Sequence, residues 1–273
     1  MTGPLAFDTI LLWVGVTFYI FALIAVAVDF FFEKPWFEAK GFFCAGIGMI
    51  PHGLAIIDRW IQVGHGPYIV RHEVLISNAW VIMAFFLISS RIFQPLRRAA
   101  LVLFPTVFLL VALGMFSNAE MTKLPPTLRN VWLIFHVLFY KIALGAILTS
   151  FSLSILVLLK INGTLDGRLP CVEVLDGNAY RFTGFSFTFW GVGMLSGSIW
   201  AYQSWGRFWG WDPIETWSLL TWMCFGIQLH VRRFFGWKDS RAAYTLIICV
   251  LVSLIAVFFV PLIDTSIHSE YFK

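Results

Sequence analysis

The sequence predicts an all-α fold, a polytopic membrane bundle of about eight spanning helices. Three observations predict it. Apolar residues make up 59% of the chain and charged residues 12%, with a mean hydropathy of +0.82; soluble domains carry about 25% charged residues. Eight apolar segments each approach the ~20 residues needed to span a bilayer. Lys and Arg fall unevenly on the two sides that those segments define. Backbone groups in lipid must bond within their own segment, so the segments are read as helices and not strands.

The elements follow in order. The first segment, 7–29, opens a chain whose start, MTGPLAFDT, has no basic stretch; with an apolar run long enough to span, it reads as a helix that stays in the membrane, not as a cleaved leader. The second, 41–59, holds His52 just after Pro51. The third and fourth, 77–93 and 98–117, are the least securely bounded from their flanks, with the first two. The fifth, 131–158, carries His136 near one end and Lys141 one turn on. The sixth, 183–202, runs into a tryptophan-rich stretch. The seventh, 214–231, has Glu215 in its first turn, where a carboxylate favours the helix dipole, and ends on HVRR. The eighth, 242–262, leaves His268 just beyond it. Connections are short and no repeat or low-complexity linker is detected, so residues 1–273 read as a single transmembrane domain.

Orientation rests on Lys and Arg, which concentrate on the cytoplasmic side. With eight passes, one side holds Lys34, Lys40, Arg91, Arg97, Arg98, Lys160, Arg168, Arg181, Arg232, Arg233, Lys238 and Arg241. The other holds Arg59, Arg71, Lys123, Arg129, Arg207 and Lys273. This puts both termini, the tryptophan-rich stretch, His136 and His268 outside the cytoplasm. The net charge of +4 and the absence of a basic run give no reason to expect nucleic acid. Cys44, Cys171, Cys224 and Cys249 have no CxxC spacing and read as small core residues.

The tryptophan-rich stretch, WAYQSWGRFWGWDPIETWSLLTW over about 200–222, holds six of the thirteen tryptophans. Interface anchoring would spread tryptophan over many helix ends. Crowding them beside Gly206, Gly210 and Asp212–Pro213 makes an aromatic shelf suited to a flat, mostly apolar, partly charged ligand, of which porphyrin is the obvious one. Neutral imidazoles ligate iron well, and two hold heme from both axial sides. His136 and His268 flank the stretch on one face; alone, one reads as a bonded bundle histidine and the other as a solvated tail. His52 and His230 form a second candidate pair, since ionisable groups in membrane helices are costly and usually functional. His52 falls near mid-membrane and His230 near the inner surface, so direct pairing needs a boundary to move by about a turn; HVRR also reads as an ordinary basic helix end. His65 and His72, in GHGPYIVRHE, read as loop residues without a ligand role.

The segment WAYQSWGRFWGWDPIETW, of the form WG-x-x-W-x-WDP-x-E-x-W, resembles the "WWD" signature of the heme-handling membrane proteins of cytochrome c biogenesis, in the form of the CcsA (ResC) family. LPPTLRNVWLIFHV resembles that family's approach to its first external histidine, and SIHSEYF the region of its second. PHGLAIIDRWIQVGHGPYIVRHEVLISNAW and LHVRRFFGW are similar to the segments with its two membrane histidines, and VLDGNAYRFTGFSF to the lead-in to the signature. The resemblance covers roughly 45–270. It implies heme b held at an inner site by His52 and His230 and presented at an external shelf of Trp205, Trp209, Trp211 and Asp212 with His136 and His268 as axial ligands. There the CxxCH thiols of apocytochrome c would become thioethers. It also implies a CcsB/ResB partner subunit and residence in the cytoplasmic membrane. Ile214 stands where the family usually has Lys. Arg207, the cation in the outer loop, is expected to meet a heme propionate instead, since guanidinium suits carboxylates. Asp212 and Glu215 are expected to order the loop. The rival readings are a heme exporter or chaperone subunit without ligation chemistry, a HemX-like regulatory protein, and a transmembrane diheme cytochrome that would not require the loop.

Overall fold

The structure, a computed structural model, describes residues 6–120, 124–163 and 167–260. Its elements are α1 (Phe7–Phe32), α2 (Trp36–Val63), α3 (Arg71–Ile92), α4 (Ala100–Met115), α5 (Val131–Ile161), α6 (Val172–Trp205), α7 (Pro213–Phe235) and α8 (Asp239–Leu254). A 3-10 turn, Gln94–Ala99, leads into α4, and a π-turn, Ile255–Phe259, extends α8. Within the described residues every predicted segment coincides with a helix, and no strand occurs among them.

The helices outrun the apolar segments. α6 begins at Val172, so eleven residues read as a connection are helical. Leu175, Asp176, Ala179 and Phe182 are buried at helical spacing, and a carboxylate becomes tolerable on that face because both Asp176 oxygens accept from the Arg232 guanidinium, at 2.6 Å each. α3 begins at Arg71, which moves His72 from the predicted loop into a first turn. Six of the described helical stretches are long and apolar enough to cross a membrane: α1, α2, α3, Gln94–Met115, α5 and Asp239–Phe259. α6 and α7 have the length, 34 and 23 residues, but their Gly, Ser, Thr and Trp content dilutes their hydropathy. Those polar groups are satisfied locally: Thr183, Ser186, Ser196 and Thr221 each donate to the carbonyl one turn back.

The chain divides into two compact units, residues 1–124 and 125–273. In the first, α1 and α2 approach closely at Gly15 and Gly48: a Cβ on either would stand 3.1 Å from the other's carbonyl oxygen. Small residues permit such contacts where no hydrophobic force joins helices in lipid. Phe42, Phe86 and Phe104 pack together between α2, α3 and α4. One end is closed by Arg98 with Asp29 and Arg97 with Glu38. In the second unit, α5 packs along α6 and also against α8, and α7 packs against α6 and α8. Trp190 is buried at its centre; its indole N–H donates to the Ser218 carbonyl at 3.0 Å, and Tyr140 bonds the Ser218 hydroxyl. Of the cysteines, Cys249 is buried, Cys44 and Cys224 are half-buried, and Cys171 is exposed at the start of α6, which corrects its reading as a core residue.

Candidate functional site

The tryptophan loop in the second unit is shaped by two carboxylates. α6 ends where Gly206 turns left-handed at φ 75°, its N–H bonding the Tyr202 carbonyl. α7 begins at Pro213, whose missing N–H costs nothing at a first helical position. Between them, Glu215 reaches back: its Oε2 accepts from the backbone N–H of Gly210 at 2.7 Å and of Asp212 at 3.2 Å. Asp212 Oδ2 accepts from Ile214 N–H at 3.2 Å and completes the reciprocal cap of α7. Trp211 is held at φ 57°, a conformation that costs a non-glycine residue about 1–2 kcal/mol. The loop-ordering role expected of Asp212 and Glu215 is therefore the geometry observed.

The tryptophans divide into two groups. Trp200 is buried and donates to the Thr127 carbonyl at 3.0 Å, and Trp222 stacks on Phe187 at 4.6 Å while donating to its carbonyl; these two build the support. Trp211 is 70% exposed and meets Trp209 edge-on at 5.9 Å, and Phe208 lies flat on Tyr202 at 4.3 Å and 6°. The exposed shelf is thus narrower than the sequence cluster and includes Phe208 and Tyr202, which sequence reasoning missed. The Trp209 Nε1–H is buried without an acceptor. Arg207 is exposed, and a Cβ on Gly210 would lie 2.6 Å from its Cζ, so glycine lets the guanidinium lie across the loop.

His136 stands on α5 against α6. Its Nδ1 lies 2.9 Å from the Gly193 carbonyl oxygen. A carbonyl only accepts, so Nδ1 carries the proton and the imidazole lone pair lies on Nε2. The ring meets Tyr140 edge-on at 4.8 Å and Trp200 at 6.0 Å. Trp200 in turn packs on Trp205 at 4.8 Å, so the second unit brings His136 and the tryptophan loop together through one indole. His268 lies outside the described residues.

The other histidines are placed differently. His52, 1% exposed in the first unit, has both ring nitrogens engaged: Nε2 donates to the Ile76 carbonyl at 3.1 Å, and Nδ1 accepts from the Tyr19 hydroxyl at 3.0 Å. His230, in the second unit, is exposed and lies 4.5 Å from the Phe234 ring. His65 and His72 are buried, not solvated. His72 Nδ1 bonds the Gly114 carbonyl at 2.8 Å, and His65 Nδ1 bonds that of Gly66 at 2.9 Å and lies 3.9 Å from Glu73. They border an ion cluster that sequence reasoning missed. Arg59 bonds Glu73 at 3.1 Å, stands 3.9 Å from Asp8, and donates to the carbonyls of Ala119 and Glu120. The signal was present: three charged residues at adjoining ends of apolar segments. Among the described residues no three His, Cys, Asp or Glu side chains cluster so as to hold a metal ion.

Residues 69–268, from α3 past α8 and including the loop, match the profile of the family described as "Cytochrome C assembly protein". The chain belongs to that family. Its similarity to curated cytochrome c assembly proteins extends further. It is 33% identical to the cytochrome c biogenesis protein CcsA of Chlamydomonas reinhardtii over 80% of this chain and 65% of that one. It is 31% identical to CcsA of Prochlorococcus marinus strain SARG over 79% of each, and 30% identical to CcsA of Chlorella vulgaris over 88% of each. The chain thus spans about two thirds of the length of the Chlamydomonas protein. Among solved structures, the cytochrome c heme lyase CcmF superposes with a TM-score of 0.70 over 94% of this chain and 48% of its own, at 15% identity, which shows a shared fold. As a member of the cytochrome c assembly family with a polytopic helical fold, the protein is a membrane protein of cytochrome c biogenesis.

Proposed function

We propose that this protein carries heme b to the extracytoplasmic face of the cytoplasmic membrane and presents it there to apocytochrome c. The observation that carries the reading is the union of a ligand-competent histidine with a preformed aromatic loop. Supporting it, His136 has its lone pair on Nε2, the loop is held in a strained shape by Glu215, and two donors on it, Arg207 and the Trp209 indole, suit propionate carboxylates. These residues fit heme. His136 and His268 would ligate its iron, Trp205, Trp209 and Trp211 would face the porphyrin, and Asp212 would keep the loop in register. Heme supplies the vinyl groups, across which each CxxCH thiol adds its S–H, so a C–S bond forms and the proton passes to the vinyl carbon. The chain's contribution is positioning, which is worth about 7–11 kcal/mol when geometry is well defined. Residues 1–273 are proposed as a single transmembrane domain, oriented with both termini and the loop outside, alongside a CcsB/ResB-like subunit.

We propose His52, in the first unit, and His230, in the second, each as a heme ligand within the membrane. Because the Nδ1 lone pair of His52 accepts from Tyr19, ligation and that hydrogen bond exclude each other. Tyr19→Phe is therefore expected to strengthen heme retention at His52, and unchanged or weaker retention would remove His52 from the ligand set.

The test is visible spectroscopy of the purified chain and of His136→Ala, His268→Ala, His52→Ala and His230→Ala, with and without the partner. Bis-imidazole bands in the wild type, weakened by single changes and partly restored by imidazole, are the expected result. A wild type without heme in both preparations overturns the reading. Heme binding without covalent cytochrome on coexpression with the partner and an apocytochrome would make the protein an exporter or chaperone.

A further inference from the structure

His136 and Tyr140 lie one turn apart on α5, and they face Gly193 and Gly197, one turn apart on α6. In a helix the carbonyl of residue 193 already accepts from the N–H of residue 197. Here it also accepts from His136 Nδ1 at 2.9 Å. A second donor reaches that oxygen only if nothing covers it from position 197. A Cβ there would stand 2.4 Å from His136 Nδ1 and 2.7 Å from Cε1, inside any real contact, and the ring is backed by Tyr140 and Trp200. Position 193 is also confined, since a Cβ there would meet the Tyr140 ring at 2.9 Å. By contrast Gly184, on the same helix, has open space where its Cβ would be.

We propose that Gly197 and the Gly193 carbonyl are positioning elements for the outer heme site: together they fix the His136 tautomer so that Nε2 is the nitrogen offered to iron. The inference rests on the heme reading above. The Nδ1–H bond to a carbonyl makes the imidazole a stronger donor to the metal, as outer partners of ligating histidines do, and losing such a partner typically costs 10–100-fold in metal affinity. Stronger donation favours ferric over ferrous iron, so the bond also lowers the midpoint potential of the bound heme.

Gly197→Ala and Gly184→Ala give helix α6 the same gain in helix propensity and differ only in what the new methyl meets. Heme retention and midpoint potential are measured for both, in the full chain in detergent. Gly197→Ala is expected to hold heme about tenfold more weakly, with an upward shift in potential that persists when excess heme refills the site, while Gly184→Ala matches the wild type. A second measurement does not depend on Gly197→Ala folding. In His136→Gly, added imidazole can bind iron and donate its N–H to Gly193, whereas 1-methylimidazole has no N–H to give. Imidazole should restore the bands at about tenfold lower concentration and give the lower potential. Equal rescue by the two bases, or a wild-type potential in Gly197→Ala, overturns the proposal. If His136→Gly itself keeps wild-type bands and potential, the ligand reading of His136 has failed instead, so the two failures are separable.

Discussion

Arg59→Leu is expected to destabilise the first unit by about 3–5 kcal/mol, the cost of breaking a buried ion pair by removing one partner. Arg59 is the guanidinium that faces both Asp8 and Glu73, and the Arg59 and Glu73 side chains are 8% and 1% exposed. Its guanidinium ties four segments together: the start of α1 through Asp8, the end of α2 from which it projects, the start of α3 through Glu73, and the segment after α4 through the carbonyls of Ala119 and Glu120. Leucine supplies the bulk but leaves two buried carboxylates without their guanidinium counter-charge and two carbonyls without its N–H groups. The measurement is a denaturant titration in detergent followed by circular dichroism. The double change Arg59→Leu with Glu73→Gln should recover at least half the loss, because the uncompensated buried charge, and not the missing contact, dominates the cost. A single-variant loss below about 1 kcal/mol, in the range of exposed pairs, would mean that the cluster is solvated and contributes little.

Glu215→Ala is expected to release the tryptophan loop while leaving the helices intact. One carboxylate oxygen receives two backbone N–H groups. Hydrogen bonds to charged groups contribute about 1.5–3 kcal/mol each, so removing both costs about 2–4 kcal/mol locally when the freed donors regain some water. That exceeds the strain stored at Trp211, so the loop relaxes once the carboxylate is gone. Proteolysis between 206 and 212 should accelerate at least tenfold, heme retention should fall with it, and far-UV circular dichroism should stay constant. Glu215→Gln, which keeps an accepting oxygen without the charge, should fall between. Wild-type proteolysis and heme content in Glu215→Ala would show that Asp212 and Pro213 suffice to hold the loop.

The number and order of the helices were legible because lipid forces every spanning segment to be apolar and internally bonded, a constraint that composition carries directly. Their ends were less legible. The first eleven residues of α6 carry Glu173, Asp176 and Arg181 and read as a connection, and only the partnership of Asp176 with Arg232, 56 residues away, makes that stretch a buried helix. His72 was misplaced for a similar reason: its polar neighbours Arg71 and Glu73 hid a helix start. The tryptophan loop was visible from residue types alone, as was the ordering role of Glu215, since a cap is a local pattern four residues long.

The sequence by itself determined the all-α membrane class, the position of the aromatic loop and the histidines worth considering, because hydropathy, capping and residue chemistry are local or periodic properties. Only the tertiary structure decided which nitrogen of His136 holds the proton, which tryptophans face outward, that His52 is engaged by Tyr19 and Ile76, and that Arg59, Asp8 and Glu73 meet. Each of these depends on a partner contributed by another helix, and no local pattern encodes the rotation and depth at which two helices face one another.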